Sequence, residues 1–520
     1  MNYLLDNNIV IDLLSERRRE QYPKTTLVYQ VLNESENNIY ISASSIDNIE
    51  FILFKELKAQ FDKPNKETLD EVHKRIKAFL QDKKIAKTPS YIELDYEDIE
   101  DSQIIASAKA IDAKVITRDE VMLQKHPGIA ISPSTYLKTR NQKRESSIDF
   151  ANLKKQYFMY QPELEREMDK VLNSASYIMG DAVRELELNL CDFTQAKHAI
   201  TCSSGTDALL LAMMALDIRP GDEIITTPFT FIATAETIAL LGAKPVFVDI
   251  DEKTYNINPN KIEAAITPKT KAIMPVSLYG QPSDMDAIQA IADQQLKTKH
   301  QKLHIIIDGA QSFGATYQGE VEVHHCDIYT TSFFPAKPLG CFGDGGAVLT
   351  NDQKLATKIQ SLRVHGQNKR YHHKYIGLGA RMDTIQCAVV NVKLKYYARD
   401  LSLRQEVASK YSEHLAGSSE QLVLPYVDVC CTSAWAQYSV RVQNRDDIQA
   451  KLKERGIPTA VHYPMPLHLQ ECFEYLGNKE GDFPVAEKIS QEILSLPMNP
   501  YLVDEEIKYI VKEIINATNN

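Results

Sequence analysis

The 520-residue chain has no excess of basic residues: 59 Lys and Arg stand against 70 Asp and Glu, for a formal charge of −11. That balance argues against bulk nucleic-acid binding, although it is silent on a local patch. No apolar run is long enough to cross a bilayer. The amino-terminal hydrophobic stretch carries Asp6 and Asp12 and lacks a basic leader, so a signal peptide is not expected and a cytoplasmic location is. No cysteine occurs before residue 191, and the eight present form no CxxC pair, which points to reduced thiols rather than a disulfide scaffold. The adjacent pairs His324–His325 and His372–His373 lack carboxylates or cysteines at zinc spacing, which sets a zinc site aside.

What is present is ordinary globular composition, 43% hydrophobic and 25% charged, in a chain too long for one core. The polar, basic stretch PSTYLKTRNQKRESSIDF separates two periodic regions and predicts a linker over 138–147, after a first domain at 1–137. Between 150 and 350, strands and helices alternate at the spacing of a mostly parallel sheet covered on both faces. From about 390 a long helix, NVKLKYYARDLSLRQEVASKYSEHL, leads to strands around WAQYSVRV and then helix-rich sequence. This predicts a large α/β domain over 148–390 and a smaller α+β lobe over 391–520.

The large region carries an ordered set of motifs. HIIID reads as a buried strand delivering Asp308 to its C-terminal edge, where such sheets bind ligands. Lys337 follows in the loop TTSFFPAKPLG. A buried acid paired with a loop lysine is what pyridoxal phosphate chemistry requires. The lysine forms the Schiff base, and the acid keeps the pyridine nitrogen protonated so that the ring accepts electrons. Upstream, AITCSSGTDALLLAMMAL reads as strand, turn and helix, with Gly205 and Thr206 at the helix N-terminus, where a phosphate binds well. Phe231 in TPFTFIAT is placed to stack on a flat ring, and Ser332 supplies a further phosphate-binding hydroxyl.

With these motifs, and with SYIMGDAVRELE, HGQNKRYHHKYIGLGARMDTIQCAVV and VHYPMPLHLQ, residues 148–520 resemble the DegT/DnrJ/EryC1/StrS sugar aminotransferases. The resemblance implies the fold-type I pyridoxal phosphate (PLP) architecture. It gives Lys337 the imine-forming role, Asp308 the pyridinium contact and Gln311 the bond to the cofactor's phenolic oxygen. Gly205, Thr206 and Ser332 match phosphate binders, and Phe231 the stacking aromatic. Some relatives are dehydratases with histidine at the lysine position; Lys337 favours transamination. The implied donor is glutamate, the implied acceptor a nucleotide-linked keto-sugar, and the implied assembly a homodimer. RYHHKYIGLGARMDTIQC and the later HYP resemble the branch acting at C3 of UDP-linked 2-acetamido-3-oxo-hexuronates, with C4-aminating and inositol-type branches as alternatives. His372, His373, His462 and Tyr463 are the corresponding candidates for substrate contact. One departure stands out: many relatives have GLNGRLD where this chain has GLGARMD, so Gly379 replaces the asparagine that reaches the neighbouring subunit's phosphate. Arg381 or a backbone N–H would have to substitute.

The first region follows a different logic. YLLDNNIVIDLLSE opens with an apolar run into Asp6; Glu50, Asp101 at a helix start and Asp119 at the end of VITRD follow in order. Four carboxylates gathered at one sheet edge repel unless a hard cation such as Mg²⁺ or Mn²⁺ neutralises them, and such a site activates water for phosphodiester cleavage. The region resembles a PIN domain, with Asp6, Glu50, Asp101 and Asp119 matching its acidic quartet and Asn8 the polar residue after the first acid; RNA is the implied target. A degenerate PIN domain kept for binding or dimerisation is the plainer alternative. Two classes of function therefore compete: a sugar aminotransferase with a PIN-like appendage, or an RNA-cleaving or RNA-binding protein whose transferase-like part is a non-catalytic scaffold.

Overall fold

The structure is a computed structural model. It describes residues 2–14, 38–42, 49, 74–76, 78, 85–88, 99–110, 113–125, 129–135 and 148–519. The expected linker at 138–147 and the Glu50 position lie outside the described residues. The chain divides into two compact units, 1–146 and 147–520.

The first unit holds a five-stranded sheet in the order β3-β2-β1-β4-β5, built from β1 (Asn2–Leu5), β2 (Asn38–Ser42), β3 (Ile85–Thr88), β4 (Ala113–Ile116) and β5 (Ala130–Ile131). Every pairing is parallel. Helices α1 (Asn7–Leu14), α2 (Ile99–Ala110) and α3 (Glu120–Lys125) accompany it. Leu4, Ile104, Ile105, Ala108, Val115 and Met122 share one buried cluster, so α2 and α3 pack on the sheet through their apolar sides.

The second unit opens with α4 (Leu153–Ser174) and α5 (Asp181–Thr194) and then alternates as the sequence predicts. The order is β6 (His198–Cys202), α6 (Gly205–Ala215), β7 (Glu223–Thr226), α7 (Ala233–Leu240), β8 (Lys244–Phe247), β9 (Thr270–Ile273), α8 (Met285–Lys299) and β10 (His304–Asp308). Then come β11 (Ile328–Ser332), β12 (Gly346–Thr350) and α9 (Gln353–Leu362). The seven strands form one sheet in the order β6-β12-β11-β10-β9-β7-β8, in which only β12 runs antiparallel to its neighbours. Both faces are buried, which is why the strands read as continuous apolar runs rather than alternating ones. Along β10, Ile305 and Ile307 enter the cluster that holds Leu186 of α5 and Ile288 of α8, while Ile306 faces the one with Leu209 of α6 and Ile359 of α9.

Helix α10 (Thr384–Leu415) runs 32 residues and crosses residue 390 without interruption. Its first half packs Cys387, Val390 and Tyr397 into the large core; its second half gives Val407, Ala408, Tyr411 and Leu415 to the core of the smaller lobe. That lobe contains a three-stranded antiparallel sheet, with β13 (Tyr438–Val442) between Leu422–Val423 and β14 (Ile493–Leu496). Helices α11 (Arg445–Glu454), α12 (Pro484–Glu492) and α13 (Asp504–Asn519) complete it.

A buried ion pair ties α5 to the sheet and to the end of α9. Glu187 Oε1 accepts from the backbone N–H and the hydroxyl of Thr201, both at 3.0 Å, and pairs with the Arg363 guanidinium, which also donates to Thr201 O at 2.8 Å. Arg363 is only 5% exposed, so removing its counter-charge strands a cation away from water. Glu187→Ala is expected to cost about 3 kcal/mol, seen as a lower thermal unfolding midpoint; an unchanged midpoint would show that the pair is solvated.

Candidate active site

The strands converge on one edge. Asp308 is the last residue of β10 and Ser332 the last of β11; the Ser203–Gly205 turn follows β6, and the turn bearing Phe231 follows β7. This is the C-terminal edge of the parallel strands, where an α/β sheet leaves room for a ligand.

Asp308 is buried, and that burial pushes its carboxyl up. Three groups oppose that: the Thr234 hydroxyl, which donates to Oδ2 at 2.7 Å, the Ala310 N–H, which donates to Oδ1 at 3.2 Å, and the charge of Lys337. Lys337 is the reciprocal case. The residue is half-buried, and desolvation lowers its pKa, with Asp308 pulling the other way. The lysine sits in a tight turn in which Lys337 N–H donates to Phe334 O at 2.9 Å and Cys341 N–H closes on Phe333 O at 2.7 Å. From α10, the ammonium of Lys393 donates to Gly340 O at 2.6 Å and lies 4.5 Å from the Phe342 ring centre, so the helix holds this turn from outside. Burial lowers the pKa of Lys393 to about 8.

Gln311 accepts from the Tyr279 N–H at 2.7 Å and donates to the Tyr463 hydroxyl at 3.2 Å. Tyr463 lies 6.2 Å from Phe231, ring centre to ring centre, and the proximity of Asp308 adds to burial in raising its phenol. His462 is bonded through Nδ1 to Ser495 Oγ at 3.0 Å, and the Tyr279 hydroxyl donates to its carbonyl. Burial and the charge of Lys337 push the imidazole down to about 4. At the head of α6, Ser204 caps Asp207 N–H at 3.0 Å, which leaves the Gly205 and Thr206 N–H groups for an anion. Gly205 is obligatory: a Cβ there would lie 2.7 Å from Ser332 Cβ and fill the space between the two.

The structure thus brings Lys337, Asp308, Gln311, His462 and Tyr463 into one cluster, with Gly205 against Ser332. Phe231 is 54% exposed, an aromatic face the protein does not cover. His372 and His373 stand apart on an exposed hairpin, bonded to Asn368 Oδ1 at 2.9 Å and to the His365 carbonyl at 2.8 Å rather than to the Lys337 cluster. A Cβ at Gly379 would meet the His365 ring at 3.0 Å, so the imidazole occupies the space that a longer side chain at 379 would need. Sequence reasoning missed Thr234 and Tyr279. Thr234 lies in the first turn of α7, where its hydroxyl meets that of Thr230 at 3.0 Å, and only its bond to Asp308 reveals its part in the site.

In the first unit, Asp6 follows β1 and Asp119 follows β4. The Thr117 hydroxyl links them, donating to Asp6 Oδ2 at 2.7 Å and accepting from Asp119 N–H at 2.8 Å. Asn8 Nδ2 reaches Asp6 Oδ2 at 3.4 Å. Asp101 lies in α2, and no group of three metal-ligating side chains occurs among the described residues.

Comparison with known proteins decides the class. The profile of the DegT/DnrJ/EryC1/StrS aminotransferase family matches residues 160–515. The chain belongs to this family. A PIN domain profile matches residues 3–127 of the same chain. The UDP-2-acetamido-2-deoxy-3-oxo-D-glucuronate aminotransferase of Pseudomonas aeruginosa is 47% identical over 369 residues, covering 71% of this chain and 100% of that protein. DesV of S. venezuelae has a TM-score of 0.69 at 35% identity, covering 72% of this chain and 99% of DesV. A Streptococcus pneumoniae sugar aminotransferase solved in its PLP form has a TM-score of 0.65 at 27% identity, covering 69% of this chain and 96% of the other. The aminotransferase therefore has the fold-type I architecture, with PLP as its cofactor.

The residues present fit that group: a desolvated amine and acid, an uncovered aromatic face, and a helix N-terminus kept open by Gly205. His462 gives a measurable consequence. Its folded pKa of about 4 lies below the ordinary value of 6.5, so the unfolded chain binds the extra proton first. The contribution to stability is complete above pH 6.5 and is lost as pH falls towards 4. His462→Asn is expected to flatten the fall of the unfolding midpoint across that window; an unchanged slope would place the imidazole in solvent.

Proposed function

We propose that the 147–520 unit transfers the amino group of glutamate to C3 of a UDP-linked 2-acetamido-2-deoxy-3-oxo-hexuronate, giving the 3-amino sugar. The observation that carries this reading is the 47% identity to the P. aeruginosa enzyme of that specificity across its full length. Lys337, Asp308, Gln311, Ser332, Gly205, Thr206 and Phe231 are the residues proposed to hold the cofactor, and His462 and Tyr463 to face the substrate.

The roles follow from the geometry. Bound at this site, PLP supplies an electron sink for the carbanion left when a proton leaves the substrate carbon. Desolvation favours the neutral amine of Lys337, which can then take a proton and return it. Asp308 holds a proton on the ring nitrogen, and Thr234 keeps that carboxylate oriented and charged. Gln311 is fixed by Tyr279 N–H, so its amide group donates in one direction, now towards Tyr463. Gly205 and Thr206 offer N–H groups, and Ser332 a hydroxyl, to a phosphate.

A homodimer is proposed as the working assembly. The exposed run Tyr177, Ile178 and Met179, five residues after exposed Leu172, is an apolar stretch of the kind an interface covers. No helix among the described residues is long and apolar enough to cross a membrane, and a cytoplasmic location is proposed. For the PIN domain we propose hydrolysis of RNA with Mg²⁺ or Mn²⁺ held at Asp6 and Asp119, with Asp101 and Glu50 as further ligands. The Asp6–Thr117–Asp119 linkage at adjacent strand ends supports it.

Two experiments test these readings. Purified protein is expected to absorb at the violet edge, to shift on adding glutamate, and to release 2-oxoglutarate with the UDP-linked 3-oxo-hexuronate. Lys337→Ala should remove both the absorption and the turnover, and turnover with other keto-sugars alone would reassign the acceptor. Asp6→Asn should abolish metal-dependent RNA cleavage, and equal cleavage by that variant would remove the metal site.

A further inference from the structure

Glu322 is a completely buried carboxyl that the chemistry above does not use. It opens the short helical turn Glu322–His325, and neither histidine of that turn pairs with it: His324 bonds to Thr194 O at 3.2 Å, and His325 faces Glu320 at 3.7 Å. Instead, the hydroxyl of Ser277 donates to Oε1 and that of Ser312 to Oε2.

Those two serines belong to the segments that hold the cofactor-facing residues. Ser277 N–H donates to Asp308 O at 3.1 Å, and Asp308 N–H donates to Pro275 O at 3.0 Å, so the 275–279 segment pairs with the main chain of the acid itself. Two residues on, Tyr279 N–H fixes Gln311 at 2.7 Å, and Ser312 is the next residue after Gln311. A closed ring results: Ser277, Tyr279, Gln311, Ser312, Glu322 and back to Ser277. Tyr329 braces it from β11, donating to Gly309 O at 3.2 Å and meeting Ser312 Oγ at 3.3 Å. The fit is close enough that a Cβ at Gly309 would lie 2.2 Å from the Tyr329 ring.

We propose that Glu322 is a positioning residue for Asp308 and Gln311, its carboxyl fastening the 275–279 and 309–312 segments to one another behind the cofactor. The inference rests on the assignment of Lys337 and Asp308 to PLP. Burial raises the Glu322 carboxyl to about 7, with Asp308 adding to the rise and the two serine hydroxyls opposing it. The other groups facing it are Tyr329, Cys326 and Cys431, none of them a cation. The network accommodates either protonation state. When Glu322 is ionised, both serines donate to it. When it carries its proton, Ser312 can accept from the carboxyl and donate to the Tyr329 hydroxyl. Loss of that proton places a second negative charge beside Asp308, which favours the protonated ring nitrogen, so the activity profile acquires an inflection near neutral pH.

The test titrates apo-protein with PLP and records kcat/KM against pH for wild type, Glu322→Ala, Glu322→Gln and Ser312→Ala. Glu322→Ala is expected to weaken PLP binding about tenfold, because two buried hydroxyls lose their acceptor. Glu322→Gln keeps the size and both bonds. It should restore PLP affinity close to wild type while losing the inflection near pH 7. Ser312→Ala breaks the ring at another point and should weaken PLP binding by about threefold, which keeps the idea testable if Glu322→Ala does not fold. A lowered unfolding midpoint with PLP affinity and pH profile unchanged would reduce Glu322 to a structural residue and overturn the proposal. Wild-type protein that binds no PLP would overturn both this inference and the assignment beneath it.

Discussion

Much of the second unit can be understood from the need to keep one carboxylate charged where solvent cannot reach it. Asp308 ends a strand buried on both faces, and burial alone would leave it protonated, whereas the role proposed for it, partner of a cationic ring, needs the charge. The compensation comes from separate elements: a hydroxyl from α7, a backbone N–H from the turn that follows β10, and the charge on Lys337 from the loop after β11. Each donor is useful only if its own element is held in register. This explains why a parallel sheet with every neighbouring loop at one edge suits the task, and why the loops themselves are cross-braced.

Lys337 experiences the same environment with the opposite sign. Desolvation leaves more of the amine neutral and free to accept a proton, and Asp308 limits how far that shift goes. The two groups temper one another, so neither is left as an isolated buried charge.

Much of this was legible in the sequence because it is local. HIIID is a both-faces-buried strand ending in an acid, and TCSSGTDALLLAMMA carries a serine cap followed by a helix with a long apolar face. Gly205 opens its helix and Lys337 lies in the loop after β11, the local settings their motifs suggest. The unread part is long-range. Thr234 and Asp308 are far apart in the chain, as are Ser277 and Glu322, and no periodicity encodes such bonds. Glu322 in particular looks like a surface acid in QGEVEVHH, since only the fold buries it. The histidines of RYHHKY show the converse: a conspicuous run that the structure leaves exposed on a hairpin. In the PIN domain, Asp6 and Asp119 were readable as acids at the ends of parallel strands, and Thr117 between them was not.

Helix α10 links the two cores of the aminotransferase. At 1.5 Å per residue its 32 residues extend about 48 Å, and no proline or glycine interrupts them. A kink along it would break several backbone bonds at once, so residue 390, the seventh of the helix, marks no break in the chain between the lobes. The same rod grips the lysine turn through Lys393 and Gly340. The element that organises the core of the smaller lobe is therefore also the one that fixes the turn carrying Lys337.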